Sequence, residues 1–142
     1  VTTLRPEDVA DRLHSAAIHV LRVVRREDAA TGLTAARLSA LSVLVFGGPR
    51  TVGELAAAEQ VRSPTMSRLV AELEAEGLVE RRPSTDDRRA VTVTATAAGE
   101  RILHEGRRRR VASLAERLEG MAAGDLEVLD HAAAMMEALA RA

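Results

Sequence analysis

The side chains best suited to chemistry in this chain are arginines and hydroxyls, grouped in two stretches. The first is Ser63-Pro64-Thr65-Met66-Ser67-Arg68 and the second is Asp87-Arg88-Arg89. A guanidinium can donate two parallel hydrogen bonds to the edge of a guanine, which makes Arg68 a candidate base reader or phosphate clamp. Ala71 and Ala75 follow it at helical spacing and would let a groove approach closely. Thr65 and Ser67 suit phosphate or water-mediated contacts better than base discrimination. In the second stretch Asp87 can hold Arg89 extended, so that its guanidinium enters a minor groove with less rotamer entropy to lose. Arg88 suits a phosphate. Each stretch taken alone also fits a solvated helix face or turn, so the elements that carry them decide.

Those elements are legible. Thr51 and Glu54 have the T-x-x-E spacing of a capping box, which predicts a short helix over about Val52 to Glu59. Gln60-Val61-Arg62 reads as a turn, after which Ser63 caps a second helix with Pro64 at its first position. In that helix Met66, Leu69, Val70 and Leu73 recur at i, i+3, i+4, i+7, so one face is buried and Pro64, Arg68, Ala71 and Ala75 face outward. Gly77 is placed to end it in a left-handed cap. Leu78 to Arg82 and Ala90 to Thr94 read as strands joined by a charged turn, Pro83 to Arg89. Two short helices followed by a two-stranded, arginine-tipped hairpin describe a winged helix-turn-helix.

With these residues in place the chain resembles the MarR family of transcriptional regulators. The likeness rests on Gly53-Glu54-Leu55-Ala56, Ser63 to Val70, Leu73-Glu74, Gly77-Leu78-Val79, and Asp87-Arg88-Arg89-Ala90 followed by Val91 to Thr94 and Gly99. Ala95 departs from the leucine common at that position, which thins the packing below the wing. The resemblance implies that Arg89 is the wing-tip residue and Asp87 its brace. It also implies a two-fold dimer knitted by terminal helices, and release from DNA by a small molecule, often an anionic aromatic compound. The effector-binding residues are not identified by sequence; His19, Arg22 and Arg26 lie near where such a pocket would be, with surface solvation the plainer role for each.

Composition bounds the alternatives. The chain has 142 residues and 46% hydrophobic residues but one aromatic, Phe46, so its core must be built from Leu, Val and Ala. It has no cysteine, which excludes disulfides and thiolate metal sites and suits a reducing cytoplasm. No apolar run approaches membrane-spanning length and no export signal is evident. His14 and His19 are five residues apart, off the i, i+4 spacing of helical metal pairs, so no metal or other cofactor is expected. No nucleophile elbow, phosphate-binding loop or carboxylate pair suggests an enzyme. The net charge is −1, but from Arg81 to Arg110 nine arginines face four acids, a local balance of +5, whereas Val111 to Ala142 carries −4. Cationic charge is thus concentrated around the wing and the helix after it. Arg107 to Arg110 point in four directions on a helix and fit a solvated, ion-paired face better than a groove.

The rest of the chain is helical. Pro6 to about Ala30 carries a stripe of Val9, Leu13, Ala16, Ala17, Val20, Leu21 and Val24, and Gly32 ends it. Thr34 caps a second helix, Ala35 to Phe46, with Leu38, Leu41, Val45 and Phe46 as core candidates, and Gly47-Gly48-Pro49 stops it. Thr96 is placed to cap a long helix running to about Gly120, with Ile102, Leu103, Val111, Leu114 and Leu118 apolar. A last helix near Asp125 to Ala140 is expected to bury Leu126, Leu129, Ala133, Met136 and Leu139 or Ala140. The expected architecture is one mainly α domain over residues 1–142: a winged helix-turn-helix at about 51–99, flanked by helices at about 6–30 and 99–142. The terminal stripes either fold over the motif or pair with a second chain, and the second arrangement suits a homodimer on a pseudo-palindromic duplex. The reading is a cytoplasmic, DNA-binding transcriptional repressor. Its rival is a winged-helix protein-interaction module that does not bind DNA, which should show a larger apolar cluster on the outward face of the second helix.

Overall fold

The computed structural model describes residues 3–84 and 90–142. Helix α1 (Pro6–Val24) continues as a 3-10 segment (Arg25–Thr31), followed by α2 (Ala35–Gly47), β1 (Arg50–Thr51), α3 (Val52–Ala58), α4 (Ser63–Ala75), β2 (Val79–Pro83), β3 (Val91–Ala95), α5 (Ala97–Leu118) and α6 (Ala123–Arg141). Side-chain caps start three of the helices. Thr34 Oγ1 accepts from Arg37 N–H at 3.3 Å, Thr51 Oγ1 from Glu54 N–H at 3.1 Å, and Thr96 Oγ1 from Gly99 N–H at 3.2 Å. Each satisfies one amide that the first helical turn leaves without a partner.

Three local details differ from the expected ones. The carboxylate of Glu54 accepts from the Thr51 hydroxyl at 3.1 Å instead of returning to the backbone, where Thr51 is already part of β1. Ser63 is inside α4 rather than at its cap: Arg62 holds that position with extended backbone, and the Ser63 hydroxyl stays exposed. The first helix loses α geometry after Val24 and tightens to 3-10 turns until Gly32, whose φ of 71° ends it. Thr31 fixes that exit, donating to Asp28 O at 2.6 Å and accepting from Leu33 N–H at 3.1 Å.

The two strands of the wing, β2 and β3, pair as expected, and β1 extends them to a three-stranded antiparallel sheet of order β1-β3-β2. After Gly48 (φ 81°) and Pro49 the chain lays Arg50 opposite Val93 and Thr51 opposite Thr92. On the other side β2 pairs with β3 from Val79 opposite Ala95 to Pro83 opposite Val91, and Ser84 N–H reaches Ala90 O at 2.9 Å. Pro83 is tolerated because β2 is an edge strand.

Met66, Leu69, Val70 and Leu73 of α4 are all buried, packed among Leu41 and Leu44 of α2, Leu55 of α3, Val79 and Val93 of the sheet, and Leu103 of α5. Ala95 is half-buried against this core. Helices α2 to α5 and the sheet therefore close one shared core. The terminal stripes do not fold over it: α1 buries only Val24 and α6 buries none of its residues. Leu13, Val20 and Leu21 on α1, Phe46 at the end of α2, Val111 on α5, and Leu126, Leu129, Met136 and Leu139 on α6 are all exposed in the single chain. Helical periodicity identified these faces as apolar without specifying what covers them.

One glycine joins the layers. A Cβ on Gly99 would lie 2.2 Å from the Leu78 carbonyl oxygen and 3.1 Å from Leu41 Cδ1, so only glycine lets α5 cross the base of β2 at this distance. Thr96 locks the same crossing: its hydroxyl donates to Gly77 O at 2.7 Å and its amide to Leu78 O at 3.0 Å.

Candidate nucleic-acid interface

Between α3 and α4 the chain reverses in a turn in which Gln60 has a φ of 56°, with Gln60 N–H on Ala57 O at 3.2 Å and Val61 N–H on Ala56 O at 3.0 Å. This turn aims the N-terminal end of α4 at solvent. With Met66, Leu69, Val70 and Leu73 anchoring the inner face, Ser63, Pro64, Ser67, Arg68 and Ala71 are exposed on the outer one, and Thr65 is half-buried beside them. No large apolar cluster occupies that face. Arg68 has no ion-pair partner among the described residues, although Glu72 lies one turn further along its own helix. Glu72 is turned instead towards Arg37 of α2, 3.7 Å from its Nε.

The remaining arginines divide by what holds them. Arg81 sits 3.6 Å from Glu74, tying β2 to α4, and Arg82 pairs with Glu80 along the same strand. Arg50 is spent on the preceding turn, donating to Gly47 O at 2.7 Å and Pro49 O at 3.2 Å. In the Arg107 to Arg110 run, Arg110 reaches Asp28 at 3.6 Å, the Nε of Arg109 is buried, and Arg107 and Arg108 are exposed. The four point apart, as helical geometry requires. Asp87, Arg88 and Arg89 lie outside the described residues.

The site that sequence reasoning missed is Arg37. Its guanidinium hydrogen-bonds Glu76, 39 residues further along the sequence, and faces Glu72. The available signal was Glu72 and Glu76 themselves, two carboxylates at i, i+4 in the last turn of a helix. Both like-charge repulsion and the helix dipole disfavour that placement unless a cation comes from elsewhere.

A cleft of about 430 Å³ lies between the 3-10 segment, α2 and α5, lined by Arg25, Asp28, Ala35, Leu38, Ser39, Ser42, Phe46, Leu103 and Arg110. His19, Arg22 and Arg26 are not among its walls. His19 lies instead on the uncovered apolar side of α1, beside Leu13 and Ala16. His104 meets Phe46 edge-on, with centroids 6.1 Å apart. Among the described residues no helix by itself is long and apolar enough to cross a membrane.

Comparison with known proteins agrees with this geometry. Residues 31–90 match the sequence profile of the MarR family. The chain is 35% identical to the HTH-type transcriptional regulator Mb0904 of Mycobacterium bovis over 131 residues, 92% of each protein. The crystal structure of the transcriptional regulator Tm0710 from Thermotoga maritima superimposes with a TM-score of 0.83 at 26% identity, covering 95% of this chain and 96% of that one. Wild-type MarR from E. coli in its apo form shares the fold with a TM-score of 0.70 at 21% identity, covering 94% and 98%.

Proposed function

Because this chain belongs to the MarR family of HTH-type transcriptional regulators, we propose that it binds a pseudo-palindromic DNA operator as a homodimer and acts there as a repressor. The observation that carries the reading is the outward face of α4. It presents Arg68, without an ion-pair partner among the described residues, beside small and hydroxylated residues on a helix whose other face is fixed in the core. The N-terminal end of α4 enters the major groove, Arg68 reads a base edge, and Ser63, Thr65 and Ser67 meet phosphates with the positive end of the helix dipole behind them. Pro64 fixes the approach of that first turn. Arg89, braced by Asp87, enters the flanking minor groove, and Arg88 holds the backbone between. No enzymatic activity is assigned, and the protein works in the cytoplasm, where its operator is.

The exposed apolar residues of α1 and α6, which a second copy would cover, support dimerisation. The cleft beside α2 is the proposed effector site. Arg25 offers charge for a small organic anion, beside Arg110, which Asp28 of the same cleft engages, and Leu38, Phe46 and Leu103 offer an apolar wall for its body. Selection from a random duplex pool, with light scattering on the recovered complex, tests the reading. The expected result is two inverted half-sites, spaced by about one helical turn, on one dimer. Failure to enrich any sequence would refute it.

A further inference from the structure

Arg68 can read DNA only while it is free, and its own helix threatens that freedom. Glu72 lies four residues further along α4, at the spacing where an arginine and a glutamate pair across one turn. In the structure this pair is not made. Glu72 faces Arg37, whose side chain is 17% exposed and whose Nη1 also hydrogen-bonds Glu76, the residue that closes α4. The Arg37 Nε is buried without a hydrogen-bond partner and its nearest carboxylate oxygen, on Glu72, is 3.7 Å away. Arg37 lies in the first turn of α2, where its backbone amide donates to the Thr34 cap.

We propose that Arg37 is the positioning residue of the DNA-reading helix: by holding Glu72 and Glu76 it keeps Glu72 from capturing Arg68, and so keeps the reader available to DNA without touching DNA. The same α2 presents Ala35, Ser39, Ser42 and Phe46 to the cleft from its opposite face. A displacement of that wall would therefore reach Arg68 through Arg37. This inference rests on the proposed role of Arg68 in base reading.

The test uses the full-length protein and two duplexes, one selected by the wild type from a random pool and one scrambled. Arg37→Ala should weaken binding to the selected duplex roughly tenfold or more while shifting the scrambled duplex by less than about threefold. Adding Glu72→Gln should restore the selected duplex to within about threefold of wild type, because the competitor for Arg68 has lost its charge. A role confined to packing would leave Arg37→Ala and Arg37→Ala/Glu72→Gln equally impaired, and that result would overturn the proposal. So would an Arg37→Ala variant with unchanged preference between the duplexes. If circular dichroism shows Arg37→Ala to be unfolded, Arg37→Gln with and without Glu72→Gln gives the same comparison at nearly conserved volume. Arg68→Ala is the control. Were it silent on the selected duplex, the base-reading role would fail, and with it this inference. Were Arg68→Ala impaired without Glu72→Gln rescue, only the role of Arg37 would fail.

Discussion

Replacing Arg68 with Ala separates binding from stability more cleanly than any other change in the chain. Arg68 is exposed and has no ion pair among the described residues, so its removal costs the fold no buried contact. Alanine is also at least as good a helix former. Stability should therefore stay within about 0.5 kcal/mol of wild type, the usual range for such surface changes. Binding should not. A bidentate arginine–guanine contact discriminates by about 1–3 kcal/mol, and a dimer makes it twice, so the loss should be about 2–6 kcal/mol. That is about 1.5 to 4 orders of magnitude in Kd. The assay pairs thermal denaturation with titration of the selected duplex and of duplexes altered singly at each guanine. In the variant, the penalty for altering the read guanine should vanish while penalties elsewhere persist. A uniform loss at every position would make Arg68 a phosphate clamp. An unchanged Kd would refute the placement of α4 in the major groove.

Arg89→Ala should weaken binding more evenly across sequences, with most sensitivity to A·T content flanking each half-site. Asp87→Ala should give a milder version of the same defect; titrations against flank-altered duplexes at several salt concentrations check both. Gly99→Ala forces a Cβ against the Leu78 carbonyl and strains the Thr96 cap, for a loss of about 2–4 kcal/mol in urea denaturation. Gly124→Ala, where a Cβ meets nothing within 4 Å, should be neutral or mildly stabilising. Glutamates at Leu126 and Leu129, or deletion of Leu126 to Ala142, should convert a dimer to a monomer or an insoluble chain by light scattering; a soluble dimer would exclude α6 from the interface.

What could be read directly from the chain was whatever a few neighbouring residues decide. The caps at Thr34, Thr51 and Thr96, the helix stop at Gly32, the left-handed exit at Gly77 and the inner face of α4 depend on hydrogen bonds three residues long or on helical spacing, and they stand where their residue types put them, whereas the equally local Ser63 cap gives way to Arg62. The same locality made the outward position of Arg68 legible, since an anchored inner face fixes its opposite. Tertiary structure decided the rest. Strand β1 is two residues long and has no periodicity to detect; it exists because β3 offers it a partner. Phe46 and the stripes of α1 and α6 are apolar by sequence, yet they are exposed because α2 to α5 close a core without them. Arg37 and its two glutamates meet only because α2 packs beside the end of α4. Local bonding selects each element and the face it presents, whereas pairing energy between distant elements settles which of those faces, and which charges, actually meet.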